Sequence, residues 1–129
     1  ARTGNALVLA KALADCSAVR VPLPPEGITH AWYKFYAFVK PEALAEGWSR
    51  DRILSEIKAL GYPAFSGSCS EIYLERCFVD AGLAPPNRLP VARELGETSL
   101  MFLVHPTITS DQINEYAAAV RSVVKQACR

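Results

Sequence analysis

The sequence predicts an α+β domain, an α/β sandwich-like arrangement in which helices pack on a small, mostly antiparallel sheet. Three observations carry that expectation. The chain closes on a helical pattern, with Ile113, Tyr116, Ala117, Val120, Val124 and Ala127 falling on one face. Two other runs have strand character: the aromatic stretch His30 to Val39 and the apolar stretch Ser99 to Val104. The elements in order read helix, strand, helix, short strand, helix, short helix, strand, helix, which supplies one small sheet and the helices to cover it.

The totals set the bounds. A chain of 129 residues, 50% hydrophobic and 21% charged, suits one domain spanning residues 1–129, with no repeat and no internal boundary. Folding at this length buries roughly two-thirds of the surface that the unfolded chain exposes, so neither a metal nor a disulfide is required. Fourteen Lys and Arg against thirteen Asp and Glu leave a charge of +1, scattered along the chain. Nucleic acid and anionic membrane are excluded as partners, because both need clustered basic residues. No apolar run approaches the roughly 20 residues of a membrane span, and no signal peptide opens the chain, which leads to a cytoplasmic expectation. Cys16, Cys69, Cys77 and Cys128 show no metal-ligand spacing and are expected as reduced, mostly buried thiols. The chain opens Ala1-Arg2-Thr3 without Met, which raises the expectation of a further domain upstream.

From Thr3 to Ala18, Ala6, Leu9, Leu13 and Cys16 recur at helical spacing and predict an opening helix. The prolines of Val21 to Gly27 end it in an extended connector. In the strand predicted from His30 to Val39, alternation puts Ala31, Tyr33, Phe35, Ala37 and Val39 on the core side. His30, Trp32, Lys34, Tyr36 and Phe38 fall on the other side. Rings on both sides point to a central strand whose second face is covered, in one reading by another domain.

After the connector Pro41 to Gly47, Ser49 is placed to cap a helix carrying Ile53, Leu54, Ile57 and Leu60, with Gly61 as its left-handed stop. A short segment, Tyr62 to Phe65, follows. Ser68 and Glu71 have capping-box spacing ahead of Leu74, Cys77, Phe78 and Ala81, with Gly82 at the end. After a turn-rich loop, Leu83 to Leu89, Pro90 suits a first helical position, ahead of Val91, Ala92 and Leu95, with Gly96 closing a short helix. Ser99 to Val104 reads as a strand buried on both faces and ends at His105-Pro106. Thr109 and Gln112 then form a second capping-box pattern for the last helix.

Few polar residues can converge on chemistry. His30 and His105 sit at strand ends, where each either touches a ligand or holds a turn, and no nucleophile and base share local spacing. Ser66-Gly67-Ser68-Cys69-Ser70 precedes a predicted helix start. Its backbone N–H groups could hold a phosphate, or Ser68 could simply cap the helix while Gly67 permits the turn. It lacks the Gly-Lys-Ser/Thr ending of a nucleoside-triphosphate loop. Cys69 is a structural thiol, or an activated one if exposed at that helix start. Lys34 either lies buried among rings or lays its stem over them with the amine in water. These residues by themselves describe an α+β domain without a visible active site.

The order of several short stretches resembles a known family. His-x-Trp-Tyr-Lys-Phe-Tyr (His30 to Tyr36) is followed by Ser-Arg-Asp at Ser49 and Gly-Tyr-Pro at Gly61. Arg-Leu-Pro-Val-Ala (Arg88 to Ala92), Leu-Val-His-Pro (Leu103 to Pro106) and Thr-x-x-Gln-Ile (Thr109 to Ile113) complete the series, which covers nearly the whole chain. The series is similar to the C-terminal small domain of the DegT/StrS (DegT/DnrJ-type) sugar aminotransferases, enzymes with the fold-type-I architecture that use pyridoxal phosphate (PLP).

The resemblance implies a parent that transfers an amino group, usually from glutamate, to a keto sugar carried on a nucleotide. It implies a homodimer, and an N-terminal large domain that supplies the Schiff-base lysine and most cofactor contacts. Lys11, Lys34, Lys40, Lys58 and Lys125 match only the small domain, so no catalytic, cofactor-binding or metal-binding residue is assigned here, and this piece alone is expected to be inactive. The expected cleft candidates are Trp32, Lys34, Tyr36, Ser66, Gly67 and Ser68. After Gly61-Tyr62-Pro63 the chain departs from the family pattern, which has a further Tyr-Pro and a His-rich turn. The rival readings are a free-standing small-molecule-binding or regulatory α+β domain, and an interaction module with an exposed apolar patch.

Overall fold

The computed structural model describes residues 1–129. Its elements run α1 (Arg2–Leu13), β1 (Val19–Arg20), β2 (Phe35–Val39), α2 (Arg50–Ala59), α3 (Arg76–Asp80), α4 (Pro90–Thr98), β3 (Ser99–Phe102) and α5 (Ser110–Ala127). Single 3-10 turns occur at Pro41–Ala43 and Ile72–Leu74. The sheet has the order β1-β2-β3 and both pairings are antiparallel, with Val19 opposite Val39 and Phe35 opposite Phe102. The predicted α+β class and the central place of the aromatic strand are both present.

α5 is the spine of the packing, touching α1 and α2. Its start is locked by a true capping box: the Thr109 hydroxyl accepts from the Gln112 backbone N–H, and the Gln112 side chain accepts from the Thr109 N–H. Both bonds satisfy donors that a helix start leaves unpaired. All six apolar α5 residues named from the sequence are buried, and Val123 joins them. α2 forms as predicted, with the Ser49 hydroxyl accepting from Arg52 N–H and Gly61 at φ +87° just past its end. Ile53, Leu54 and Ile57 are buried, whereas Leu60 falls on the outer side at the helix end and is 54% exposed.

α1 stops at Leu13, five residues before the predicted end, although Cys16 still reaches the core. Cations on α5 account for the early stop. Arg121 donates to the Ala12 carbonyl and Lys125 to the Asp15 carbonyl, satisfying groups that another helical turn would have used. Both cations also pair with the Asp15 carboxylate, at 2.7 and 3.1 Å, and hold it below its ordinary titration range. The chain then turns to place Val19–Arg20 against β2, a strand the sequence pattern did not reveal.

β2 begins at Phe35, not at His30. The His30 ring nitrogen Nδ1 accepts the Trp32 backbone N–H at 2.9 Å, closing a tight turn, and Trp32 adopts φ 47°. That left-handed conformation is incompatible with a strand and uncommon for a bulky side chain. It drops the indole into the core, 5% exposed and stacked near Phe35. The expected facing therefore holds only from Phe35 onward. Phe35, Ala37 and Val39 point to the core, while Ala31 and Tyr33 are exposed.

β3 is buried at every position from Ser99 to Phe102, as expected of a strand covered on both faces. Between Phe65 and Glu97, by contrast, no residue is buried. The helix predicted after Ser68 is reduced there to a 3-10 turn and the five-residue α3, neither with a buried residue. Ser68 caps nothing, because the first helical turn begins only at Ile72, with Glu71 in the N-cap position. Gly96 does not end α4, which runs through to Thr98. The thiols also depart from expectation: Cys16 is buried and Cys128 half-buried, but Cys69 and Cys77 are exposed.

Candidate functional site

The outer face of β2 gathers most of the candidate residues. Tyr36 and Phe38, one residue out of phase with the core side chains, lie side by side with ring centroids 6.4 Å apart. The Arg20 guanidinium sits 4.3 Å above the Phe38 ring, a cation–π contact that covers the β1 side. On the β3 side, Phe65 and Met101 exchange both backbone hydrogen bonds, at 3.1 and 2.8 Å, which lays the next loop along β3.

That loop then descends onto Tyr36. Gly67 has φ +98°, and a Cβ built there would stand 2.8 Å from Tyr36 Cε1 and 3.4 Å from Ser99 Oγ. Only glycine permits both the conformation and the approach. The Ser99 hydroxyl donates to the Ser66 carbonyl, and the Tyr36 and Ser68 hydroxyls face each other at 3.4 Å. Lys34, Ser66 and Gly67 share an open groove with Leu54 and Lys58 of α2, Met101 and Leu103. Asp51 is the one carboxylate on this groove, and Arg50 holds it at 2.6 Å.

Five of the six predicted cleft residues, Lys34, Tyr36, Ser66, Gly67 and Ser68, thus stand on one side of the sheet. Trp32 does not join them, since the turn at His30 buries it in the core. His30 and His105 both serve turns: His105 Nδ1 bonds the Thr107 hydroxyl at 2.8 Å. Neither histidine lies in the groove. The phosphate-cradle idea for Ser66 to Ser70 loses its basis, because no helix starts there and its backbone donors are not gathered by a dipole. Cys69, for the same reason, is not at a helix start.

Sequence reasoning did not identify Ser99, Met101 or Lys58 as part of this surface. The signal for Ser99 was a polar residue opening an otherwise apolar strand. A second cluster also escaped notice. Arg88 Nε donates to Glu71 Oε1 at 2.8 Å while its Nη2 takes the other oxygen, a bidentate fork. The Tyr73 hydroxyl donates to Glu71 at 2.7 Å and accepts Leu89 N–H at 2.9 Å. The Arg88 and Tyr73 hydrogen bonds hold the Glu71 carboxyl down at about 2, while burial and the bond to Glu71 push the Tyr73 phenol up.

No protein-family model and no curated protein matches the chain. Solved structures do. The aminotransferase from Psychrobacter cryohalolentis aligns at 51% identity with a TM-score of 0.89, over 95% of this chain and 33% of its own. A DegT DnrJ EryC1 StrS aminotransferase from Brucella abortus aligns at 23% identity and TM-score 0.73, over 94% of this chain and 30% of its own. The chain shares the fold of the small domain of DegT/StrS-type aminotransferases. It spans about a third of the length of the solved chains it matches. E. coli GDP-4-keto-6-deoxy-D-mannose-3-dehydratase with bound hydrated PLP shares the fold at 17% identity and TM-score 0.70, over 95% of this chain and 30% of its own.

The DegT/StrS-type fold implies PLP, and the groove here does not fit it. A PLP site needs a lysine for the aldehyde, an acid for the pyridine nitrogen and a cradle for the phosphate. The groove's sole carboxylate is spent on Arg50, and no helix starts at its Ser-Gly loop to gather backbone N–H groups for a phosphate. What this face presents is hydroxyls from Tyr36 and Ser68, ammonium groups from Lys34 and Lys58, and the apolar Phe65 and Leu103. No three His, Cys, Asp or Glu side chains stand together in metal-binding fashion. No helix is long and apolar enough to cross a membrane.

Proposed function

We propose that residues 1–129 are the C-terminal small domain of a PLP-dependent aminotransferase that moves an amino group from glutamate to a nucleotide-linked keto sugar. This domain closes one side of the cleft and has no catalytic residue of its own. The carrying observation is the seating of the Gly67 loop on Tyr36, which brings Lys34, Tyr36, Ser66, Gly67 and Ser68 to one open face beside a groove. The 51% identity to an aminotransferase supports the reading, as does the fold shared with the E. coli GDP-4-keto-6-deoxy-D-mannose-3-dehydratase that holds hydrated PLP. PLP, the Schiff-base lysine and the pyridine partner belong in this proposal to the parent's large domain. The parent is a cytoplasmic homodimer.

In the cleft, the wall groups bind and orient. Lys34 and Lys58 attract an anionic substrate group, while the Tyr36 and Ser68 hydroxyls fix it by hydrogen bonds. The test uses the full-length parent with glutamate and a panel of nucleotide-linked 4-keto sugars. Formation of 2-oxoglutarate together with an amino sugar of the expected mass supports the reading, and its absence with every sugar and amino donor tried overturns it. In an active parent, Lys34→Met and Tyr36→Phe are expected to raise KM for the sugar more than they lower kcat, because they remove binding and not chemistry. A free-standing ligand-binding domain is the less favoured reading, given that the matched chains are all about three times longer.

A further inference from the structure

One stretch is built unlike the rest of the molecule. From residue 65 to residue 97 no side chain is buried, although Ala64 and Thr98 on either side are. About a quarter of the chain thus contributes nothing to its core. The stretch is not polar for that reason. Ile72, Leu74, Val79, Leu83, Leu89 and Val91 are between 45% and 69% exposed, and they make up half of the large exposed hydrophobic residues of the chain. α3 has only five residues and buries none of them, and α4 buries only Thr98. Helices this short do not persist in water on their own hydrogen bonds.

Polar fastenings hold the stretch in place. The Glu71–Arg88 fork and the Tyr73 hydroxyl close its middle into a loop. Arg50 ties its far end to the sheet by donating to the Gly96 and Ser99 carbonyls at 3.1 and 3.3 Å. These bonds are exposed or half-buried and fix a shape without supplying a core. A fixed shape that presents apolar side chains outward is the anatomy of a surface awaiting its counterpart.

We infer that residues 70–97 are the seat of the remaining two-thirds of the parent polypeptide, packed through Ile72, Leu74, Val79, Leu83, Leu89 and Val91, and that this contact supplies the stretch with its missing core. Two observations select that occupant. The match to the aminotransferase at 51% identity leaves about two-thirds of that chain without a counterpart here, a body large enough to cover such a surface. The stretch also continues directly from Ser66, Gly67 and Ser68, the loop assigned to the cleft, which puts it beside the place proposed for the other cleft wall. The inference rests on the proposed function and names the surface that joins the two domains.

Amide hydrogen exchange tests it on the 129-residue chain and on the full-length parent. In the isolated chain, amides of residues 70–97 are expected to exchange quickly while those of α5 and β3 are protected; in the parent, residues 70–97 should slow by about 100-fold or more. Equal exchange in both would overturn the inference. Protection that appears in the parent only as its concentration is raised through dimer formation would also overturn it, assigning the surface to a second copy. The double variant Leu83→Asp/Val91→Asp, at two exposed sites, should leave the melting of the isolated chain unchanged. In the parent it should remove at least tenfold of the protection. If the variant parent keeps full protection, the named residues are not the seat. An inactive parent with protected residues 70–97 would sink the proposed function alone, and an active parent with equal exchange would sink this inference alone.

Discussion

Single residues decide how the outer face of β2 is shaped, and Gly67 is the clearest of them. Replacing it with Ala places a Cβ 2.8 Å from the Tyr36 ring on a backbone at φ +98°. The loop must lift or Tyr36 must move, at a cost of about 1–3 kcal/mol. Urea unfolding of Gly67→Ala measures that cost, and tyrosine fluorescence should report an altered Tyr36 environment; an unchanged midpoint would show that the loop is not seated as described. Glu71 gives a second residue-level prediction. Its folded-state carboxyl titrates at about 2, against an ordinary 4.5, because Arg88 and Tyr73 bond its charged form. A lowered folded value means that the contribution is present above pH 4.5 and is lost as pH falls toward 2. Acid-dependent opening of the Glu71–Arg88 loop, followed by the NMR shifts of the Tyr73 ring and the Arg88 guanidinium that bond Glu71, should therefore develop across that window. In Glu71→Gln the loop is expected to be open already at pH 7 and insensitive to acid there. Trp32 and Glu71 also mark where residue-level legibility ended. The placement of Trp32 depends on a ring nitrogen two residues away, and the role of Glu71 on an arginine 17 residues away. Alternation and local capping patterns contain neither fact.

At the scale of elements, the sequence was most informative where a cap and an apolar stripe agreed. α2 and α5 have both, and both formed with the caps at Ser49 and Thr109 that spacing suggested. Thr109→Ala removes one half of the α5 box and should cost about 1 kcal/mol in urea unfolding. A cost near zero would mean that packing against α1 and α2 fixes that end without the cap. The pattern beginning at Ser68 shows why spacing alone is insufficient. It had a cap and a stripe too, but its stripe residues Leu74, Cys77 and Ala81 found nothing to pack against, and without tertiary support the helix shrank to one turn. β1 was invisible for the opposite reason. Two residues, Val19 and Arg20, are too few to show a period, and their pairing with Val39 and Phe38 is a tertiary fact. The strand at Ser99 was legible because an unbroken apolar run of that length has few other uses.

As a whole, the molecule divides into a self-sufficient core and a stretch, residues 65–97, that has no buried residue. Ile57 is fully buried and Ile72 is 57% exposed. Ile57→Ala should therefore destabilise the isolated chain by about 2–5 kcal/mol, whereas Ile72→Ala should lie within about 0.5 kcal/mol of the parent sequence. Similar losses for the two would contradict the division. The cleft candidates came from the ring-rich strand and the Ser-Gly loop, with the resemblance supplying only the idea of a cleft, and five of the six lie on one side of the sheet. Composition and spacing had reached only a domain without a visible active site. If this domain shapes a cleft whose chemistry resides elsewhere in the parent, borohydride trapping after PLP titration will show it. The 129-residue chain should give no saturable absorbance change and no stoichiometric pyridoxyl-lysine on reduction, while the full-length parent gives one per subunit. A single stoichiometric adduct on Lys11, Lys34, Lys40, Lys58 or Lys125 of the isolated chain would contradict it.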